Sequence, residues 1–201
     1  KRLRWLGHQV DQGQGVILLK NYKKSIPQNS TNYKNSSFIS TRRCSMNDRE
    51  LVDQIINAGF SLFPCTTTKQ PMTTNGFKAA TNDHEVINRW LENPMGKLWG
   101  IPAEPNGFFA VDVDPEGITT WHDWIDANGL PEPTPWQHTP RGGAHYLFKI
   151  PEGVKVPNNA GKLAPGIDLR SLGYICTGNG YHWEIDINQP IAEAPAWLIE
   201  K

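Results

Sequence analysis

The stretch Phe108-Phe109-Ala110-Val111-Asp112-Val113-Asp114 decides the fold. Taken as an extended strand, it sets residues i and i+2 on one face, roughly 6–7 Å apart along the chain. Asp112 and Asp114 then stand together at the end of an apolar run, and both carboxylates can converge on one or two hard cations held by oxygen ligands. Three readings of the pair are open at this point. One is a two-metal site for nucleotidyl transfer. A second is a calcium loop, because Asp112-Val113-Asp114-Pro115-Glu116-Gly117 follows the opening of the EF-hand pattern. Against it, the fifth position is Glu116, the twelfth is Asp123, and a strand precedes the loop. The third is a plain pair of acids at the rim of a strand entering a turn.

Two later segments add weight. Thr139-Pro140-Arg141-Gly142-Gly143 leads into a strand beginning Ala144-His145-Tyr146-Leu147-Phe148. Tyr146, Phe148 and Ile150 alternate to one face and are expected to pack inward, with His145, Leu147 and Lys149 on the other. Gly142 and Gly143 let the backbone turn tightly and approach a ligand closely, and the His145 imidazole can donate to phosphate oxygens. In Gly166-Ile167-Asp168-Leu169-Arg170, Asp168 faces away from Ile167 and Leu169. With those two in the core, Asp168 and Arg170 share the open face, one as a third acid and the other as a planar fork for phosphate. A surface ion pair of little consequence is the plainer account. Lys69 and Lys78, in a Gly/Pro/Thr-rich loop, are candidate phosphate or template contacts, and Tyr174 is a candidate for base stacking.

Composition bounds the alternatives. A chain of 201 residues with 38% hydrophobic content can bury a real core. No apolar run approaches the ~18 residues that span a membrane, and no apolar h-region follows the basic N-terminus, so no signal peptide is read. The three scattered cysteines, Cys44, Cys65 and Cys176, argue against a disulfide framework or a Cys-rich zinc element and fit a reducing cytoplasm. Net charge is +0 but divided. Residues 1–45 hold nine Lys/Arg and one acid (9 − 1 = +8), and the remainder holds 11 Lys/Arg and 19 acids (11 − 19 = −8). A body this acidic is not a general nucleic-acid binder. Its surplus carboxylates suit metal binding, or simply solubility.

Residues 1–45 are polar and rich in Asn, Ser, Gln and Lys, and they read as an extension outside the fold, with a basic tail on nucleic-acid phosphates as the functional alternative. Residues 46–187 read as the compact domain. Residues 188–201 read as a closing segment in which Ala192 to Lys201 starts a helix leading towards a further domain. Within the body, Asn47 to Glu50 and Asn82 to Glu85 are capping boxes that open helices, and Gly59 ends the first. A third helix, Ile118 to Ala127, is expected to bury Trp121, Trp124 and Ile125. Phe60 to Pro64 reads as a strand, Leu98 to Ile101 and Gly107 to Asp114 as two strands joined by a turn, and Gly166 to Leu169 as another. Tyr174 to Thr177 and Tyr181 to Ile185 read as a hairpin around Gly178-Asn179-Gly180.

With these segments in place, the chain resembles the primase-polymerase (prim-pol) catalytic domain of the archaeo-eukaryotic primase superfamily, over roughly Leu51 to Ile185. The likeness takes in Gly59-Phe60-Ser61-Leu62-Phe63-Pro64, Lys69-Gln70-Pro71, Ala79-Ala80-Thr81-Asn82-Asp83, Trp90 and Trp99-Gly100-Ile101. The three family motifs fall in order on Val111-Asp112-Val113-Asp114, Gly143-Ala144-His145 and Ile167-Asp168. There are departures: Ala103-Glu104 stands where relatives often carry a Thr-Gly turn, and the Pro-Pro-Ser that often follows Gly173-Tyr174-Ile175 is missing.

The resemblance implies an α+β fold, an RRM-like catalytic sheet packed with a small N-terminal α/β module. It implies template-directed nucleotidyl transfer with two Mg²⁺ or Mn²⁺ ions held by Asp112, Asp114 and Asp168. His145 would bind the nucleotide's phosphates with Arg170 and Arg141, and Gly142, Gly143 and Lys78 would complete the nucleotide site. The implied partners are a single-stranded DNA template, NTPs or dNTPs, and a replicative helicase domain or protein, in the replication of a plasmid, phage or other mobile element. Two other functions compete. A D-x-D glycosyltransferase leaves His145 and Asp168 unexplained, and a non-catalytic RRM-like nucleic-acid-binding module calls for aromatics where three acids stand.

Overall fold

Helix α1 (Asp48–Asn57) begins at the capping box read from the sequence, with Asn47 Oδ1 accepting from Glu50 N at 2.9 Å and Glu50 Oε2 accepting from Asn47 N at 3.2 Å. Its buried stripe is Leu51, Val52, Ile55 and Ile56, and Gly59 follows it in the left-handed conformation (φ 84°). Helix α2 (His84–Glu92) is capped one residue later than the sequence suggests, because it is Asp83 Oδ1 that accepts from Glu85 N at 2.8 Å. Ile87 is fully buried there, and Trp90 and Leu91 pack against the same cluster.

The structure, a computed structural model, describes residues 47–92, 98–129, 132–156 and 159–199, and these lie in one unit, Ser45–Lys201. The extension expected over 1–45 lies outside the described residues. Two antiparallel sheets organise the rest. The smaller has the order β1 (Phe63–Cys65), β2 (Leu98–Pro102), β8 (Tyr174–Gly178). The larger runs β6 (Asn159–Ala164), β7 (Ile167–Arg170), β3 (Phe108–Val113), β5 (Ala144–Lys149), β4 (Trp136–His138), β9 (His182–Ile185). Helix α3 (Ile118–Asn128) follows β3 through a 3-10 turn at Pro115–Gly117, and a short helix α4 (Ala196–Ile199) closes the described chain.

The fold is α+β with a larger sheet and a smaller α/β module, as expected, but the module is not wholly N-terminal: its third strand, β8, comes from the C-terminal half. The strands β2 and β3 are joined by a turn, as expected, and this 3-10 turn, Glu104–Asn106, carries the chain from one sheet to the other. One local reading is corrected by this arrangement: β8 and β9 do not form a hairpin. Tyr181 N donates to Gly178 O at 2.9 Å and closes the expected turn, yet the strands on either side join different sheets.

Both faces of the larger sheet carry core. On one, Phe109, Val111, Val113, Tyr146 and Phe148 are buried, with Trp121 of α3 against Tyr146 (ring centroids 5.1 Å apart). On the other, Phe108, Ala110 and Leu147 join the cluster of α1, α2 and the smaller sheet. Leu147 is therefore fully buried and not solvent-facing. That second face is apolar and covered at its Phe108 end. Two residues beyond Ala110, it turns polar.

Candidate active site

Register places the polar residues. Asp112 on β3 is paired with His145 on β5 and with Asp168 on β7, and His145 is paired in turn with Gln137 on β4. Directly opposed residues on neighbouring strands project from the same side of a sheet. One row across four strands therefore reads Asp168, Asp112, His145, Gln137, on the face whose other end is apolar. Arg170, two residues beyond Asp168 and opposite Ala110, shares that face. The backbone of Asp114 continues extended past β3 (φ −70°, ψ 162°).

Glycines bring the turns around this row together. Asp114 N donates to Gly166 O at 2.8 Å, and a Cβ on Gly117 would lie 2.3 Å from the same carbonyl oxygen. The Asp114 turn can thus lie flush against the turn that leads into Asp168 only because residue 117 has no side chain. Gly143 has a similar role, since its Cβ would meet Val113 O at 2.3 Å. The space it spares is filled by the protein's own backbone. Gly142 (φ 87°) makes the turn between β4 and β5, where Gly142 N donates to Thr139 O.

Arg170 Nε donates to Asp112 Oδ2 at 2.6 Å, and a terminal guanidinium nitrogen lies 3.8 Å from Asp168 Oδ2. His145 Nε2 lies 3.4 Å from Asp112 Oδ1. Burial pushes the Asp112 carboxyl up, but the hydrogen bond and charge of His145, with Arg170 behind them, prevail and hold it at about 2. For Arg170, burial works against the charged form, and Asp112, Asp168 and Asp114 outweigh it, so its pKa is raised. The calcium reading does not survive this geometry. Asp112 is in the middle of a sheet with its oxygens on Arg170 and His145, and Asp123 is on α3.

Among the described residues no three His, Cys, Asp or Glu side chains are gathered at metal-binding spacing. The acids are arranged instead around the Arg170 guanidinium. The donor set still fits hard cations: three carboxylates on neighbouring turns and strands, two of them already drawing a positive group.

The remaining candidates separate. Arg141 is exposed on the turn before β5. Lys78 is exposed on the 3-10 turn Gly76–Ala79 and forms no ion pair with these acids among the described residues. Lys69 is drawn closer, its Nζ 5.9 Å from the Tyr181 ring centroid, while that ring lies 5.9 Å from His145. Tyr174 is not an open stacking platform. It packs edge-on against Phe63 at 5.0 Å, and its hydroxyl donates to Lys69 O at 2.7 Å. The sequence reading passed over two residues, Tyr181 and Gln137. The aromatic beside His145 is Tyr181, whose phenol is pushed up by burial and then by Cys176 and Asp112. Gln137 is fully buried behind the imidazole.

Acids beside an imidazole and a guanidinium on one sheet face are the equipment of a nucleotidyltransferase. The sequence model of the Prim-Pol family, described as "Bifunctional DNA primase/polymerase, N-terminal", matches residues 53–197, and the chain belongs to that family. Its members act on DNA and nucleotides by nucleotidyl transfer and are typically metal-dependent. No curated protein matches the chain.

Proposed function

We propose that this chain is the catalytic domain of a DNA primase/polymerase from the replication machinery of a plasmid, phage or other mobile element. The observation that carries the reading is the single row Asp168–Asp112–His145 across β7, β3 and β5, with Asp114 two residues along. Asp112, Asp114 and Asp168 are the residues that would hold two Mg²⁺ or Mn²⁺ ions, whose chemistry is to offset charge on the reacting phosphoryl oxygens. A 3′-hydroxyl from a primer or initiating nucleotide attacks the α-phosphorus of the incoming NTP or dNTP, and pyrophosphate leaves.

The chain's own groups bind and orient. The Nε2 edge of His145 faces the acids and donates to the triphosphate. Arg170, long and half exposed, exchanges its hold on Asp112 for phosphate oxygens when a nucleotide arrives. Arg141 flanks the same turn from the exposed side, and Gly142 and Gly143 set its course. Lys69 and Lys78 extend the positive rim towards a single-stranded DNA template. Residues 46–187 form the catalytic domain in this reading, 1–45 an extension and 188–201 the lead towards a helicase domain or protein. Among the described residues no helix is long and apolar enough to cross a membrane.

Primer extension and de novo priming on single-stranded DNA test the proposal, with Mg²⁺ and Mn²⁺ and with Asp112→Ala/Asp114→Ala as the comparison. The double variant is expected to lose incorporation by at least about a thousandfold. Wild-type protein that binds DNA but incorporates nothing would make the chain a non-catalytic module. Equal incorporation by both proteins would remove the acids from the chemistry.

A further inference from the structure

Gln137 takes no part in the reading above, yet it is fully buried directly behind His145. One terminal atom of its side chain lies 2.8 Å from the Cys176 carbonyl oxygen and 2.9 Å from His145 Nδ1. A carbonyl oxygen can only accept, so the atom facing it must be the amide nitrogen. That nitrogen carries two hydrogens. With one on Cys176 O, the other points at Nδ1, which in the neutral ring must then be the bare, accepting nitrogen. The ring proton is left on Nε2, the atom 3.4 Å from Asp112 Oδ1. Turning the amide over would set two oxygens against each other at 2.8 Å. The structure keeps the other orientation although Gln137 Oε1 is then buried without a hydrogen-bond partner among the described residues.

We propose that Gln137 is a positioning residue that fixes His145 as the Nε2–H tautomer, so that the imidazole presents a donor to the phosphates of the incoming nucleotide. The anchor is structural: Cys176 is on β8 of the smaller sheet, and Gln137 and His145 are on β4 and β5 of the larger one. The tautomer is therefore set by the way the two sheets meet. The bare alternative, an Nδ1–H ring, would turn a lone pair towards phosphate oxygen and repel it. The consequence for nucleotides rests on the polymerase reading, whereas the tautomer does not.

Long-range ¹H–¹⁵N spectra of the full chain, with the His145 ring neutral, read the tautomer directly, and steady-state incorporation reads its consequence. Wild type is expected to show a pyrrole-like Nε2 and a pyridine-like Nδ1. In Gln137→Leu, with the anchor removed, the two nitrogens become averaged and the nucleotide KM rises roughly tenfold while kcat changes less. In Gln137→Glu the carboxylate accepts from Nδ1–H, the pattern inverts, and KM rises further. A wild-type ring protonated on Nδ1 overturns the assignment, and that spectrum needs no variant to fold. So does a Gln137→Leu protein with an unchanged Nε2–H ring and unchanged KM. If the spectra behave as expected and no form incorporates nucleotides, the polymerase reading fails and the tautomer assignment stands.

Discussion

At the scale of single residues, Asp112 concentrates the electrostatics of the molecule. It accepts from Arg170 at 2.6 Å and faces His145 at 3.4 Å, and its carboxyl sits at about 2 against an ordinary value of 3.8. A carboxyl depressed in the folded state stabilises fully above its unfolded value and loses that contribution as pH falls through the folded one. The window is therefore from about pH 4 down to about pH 2, and the shift corresponds to about 2 kcal/mol. Urea unfolding of metal-free wild type and Asp112→Asn checks this. The stability gap between them is expected to narrow by about 2 kcal/mol as pH falls from about 5 to about 2. A gap that does not change with pH would show that the ion pair contributes nothing to folding.

At the scale of elements, the close approach of the β4–β5 turn to the end of β3 depends on Gly143. Alanine there would put a Cβ 2.3 Å from Val113 O and 3.2 Å from the Cα of Asp114, and backbone on both sides leaves little room to give. Gly143→Ala is expected to destabilise by about 1–3 kcal/mol and to shift Asp114 enough to cut incorporation. A thermal melt beside a primer-extension assay would measure both, and an unchanged midpoint would refute the packing argument. The sequence made these elements legible unevenly. Strand β3 stood out because an apolar run ending in D-x-D is hard to place elsewhere, and α1 because Asn47 and Glu50 cap each other reciprocally. Strand β4 did not, since its three residues lie among Pro133, Pro135 and Pro140 and show too little alternation to register. Gln137 inherited that invisibility: a glutamine between Trp136 and His138 carries no sign that both sheets will enclose it. The Gly178-Asn179-Gly180 turn was legible as a reversal, but which strands pair is a long-range matter that turn chemistry does not contain. The row Asp168–Asp112–His145 falls between these cases. Its members were legible as motifs in order, while their lying on one rung follows only from the register of β3 with both neighbours.

At the scale of the whole molecule, the charge division and the placement of the core bear on different properties. The buried cluster runs from Leu51 to Ile187 in sequence and draws on α1, α2 and both sheets, and Leu198 is buried in α4, so the hydrophobic core described falls within Ser45–Lys201. On the reading that places residues 1–45 outside the fold, their removal is expected to leave the unfolding midpoint within about 1 °C of the full chain's. Charge behaves otherwise. The full chain is at +0 and the remaining body at 11 − 19 = −8. A body of that sign repels a single-stranded template over distances of about a Debye length, ~10 Å at 0.1 M salt. The truncated protein is therefore expected to show a higher template KM than the full chain at low ionic strength, with the difference closing as salt is raised. The nucleotide KM, set by His145, Arg170 and the acids at short range, should move little. Template KM measured across a salt series for both proteins separates these effects: a difference that persists at high salt would assign residues 1–45 a specific contact with DNA, and a lowered midpoint would place them in the fold.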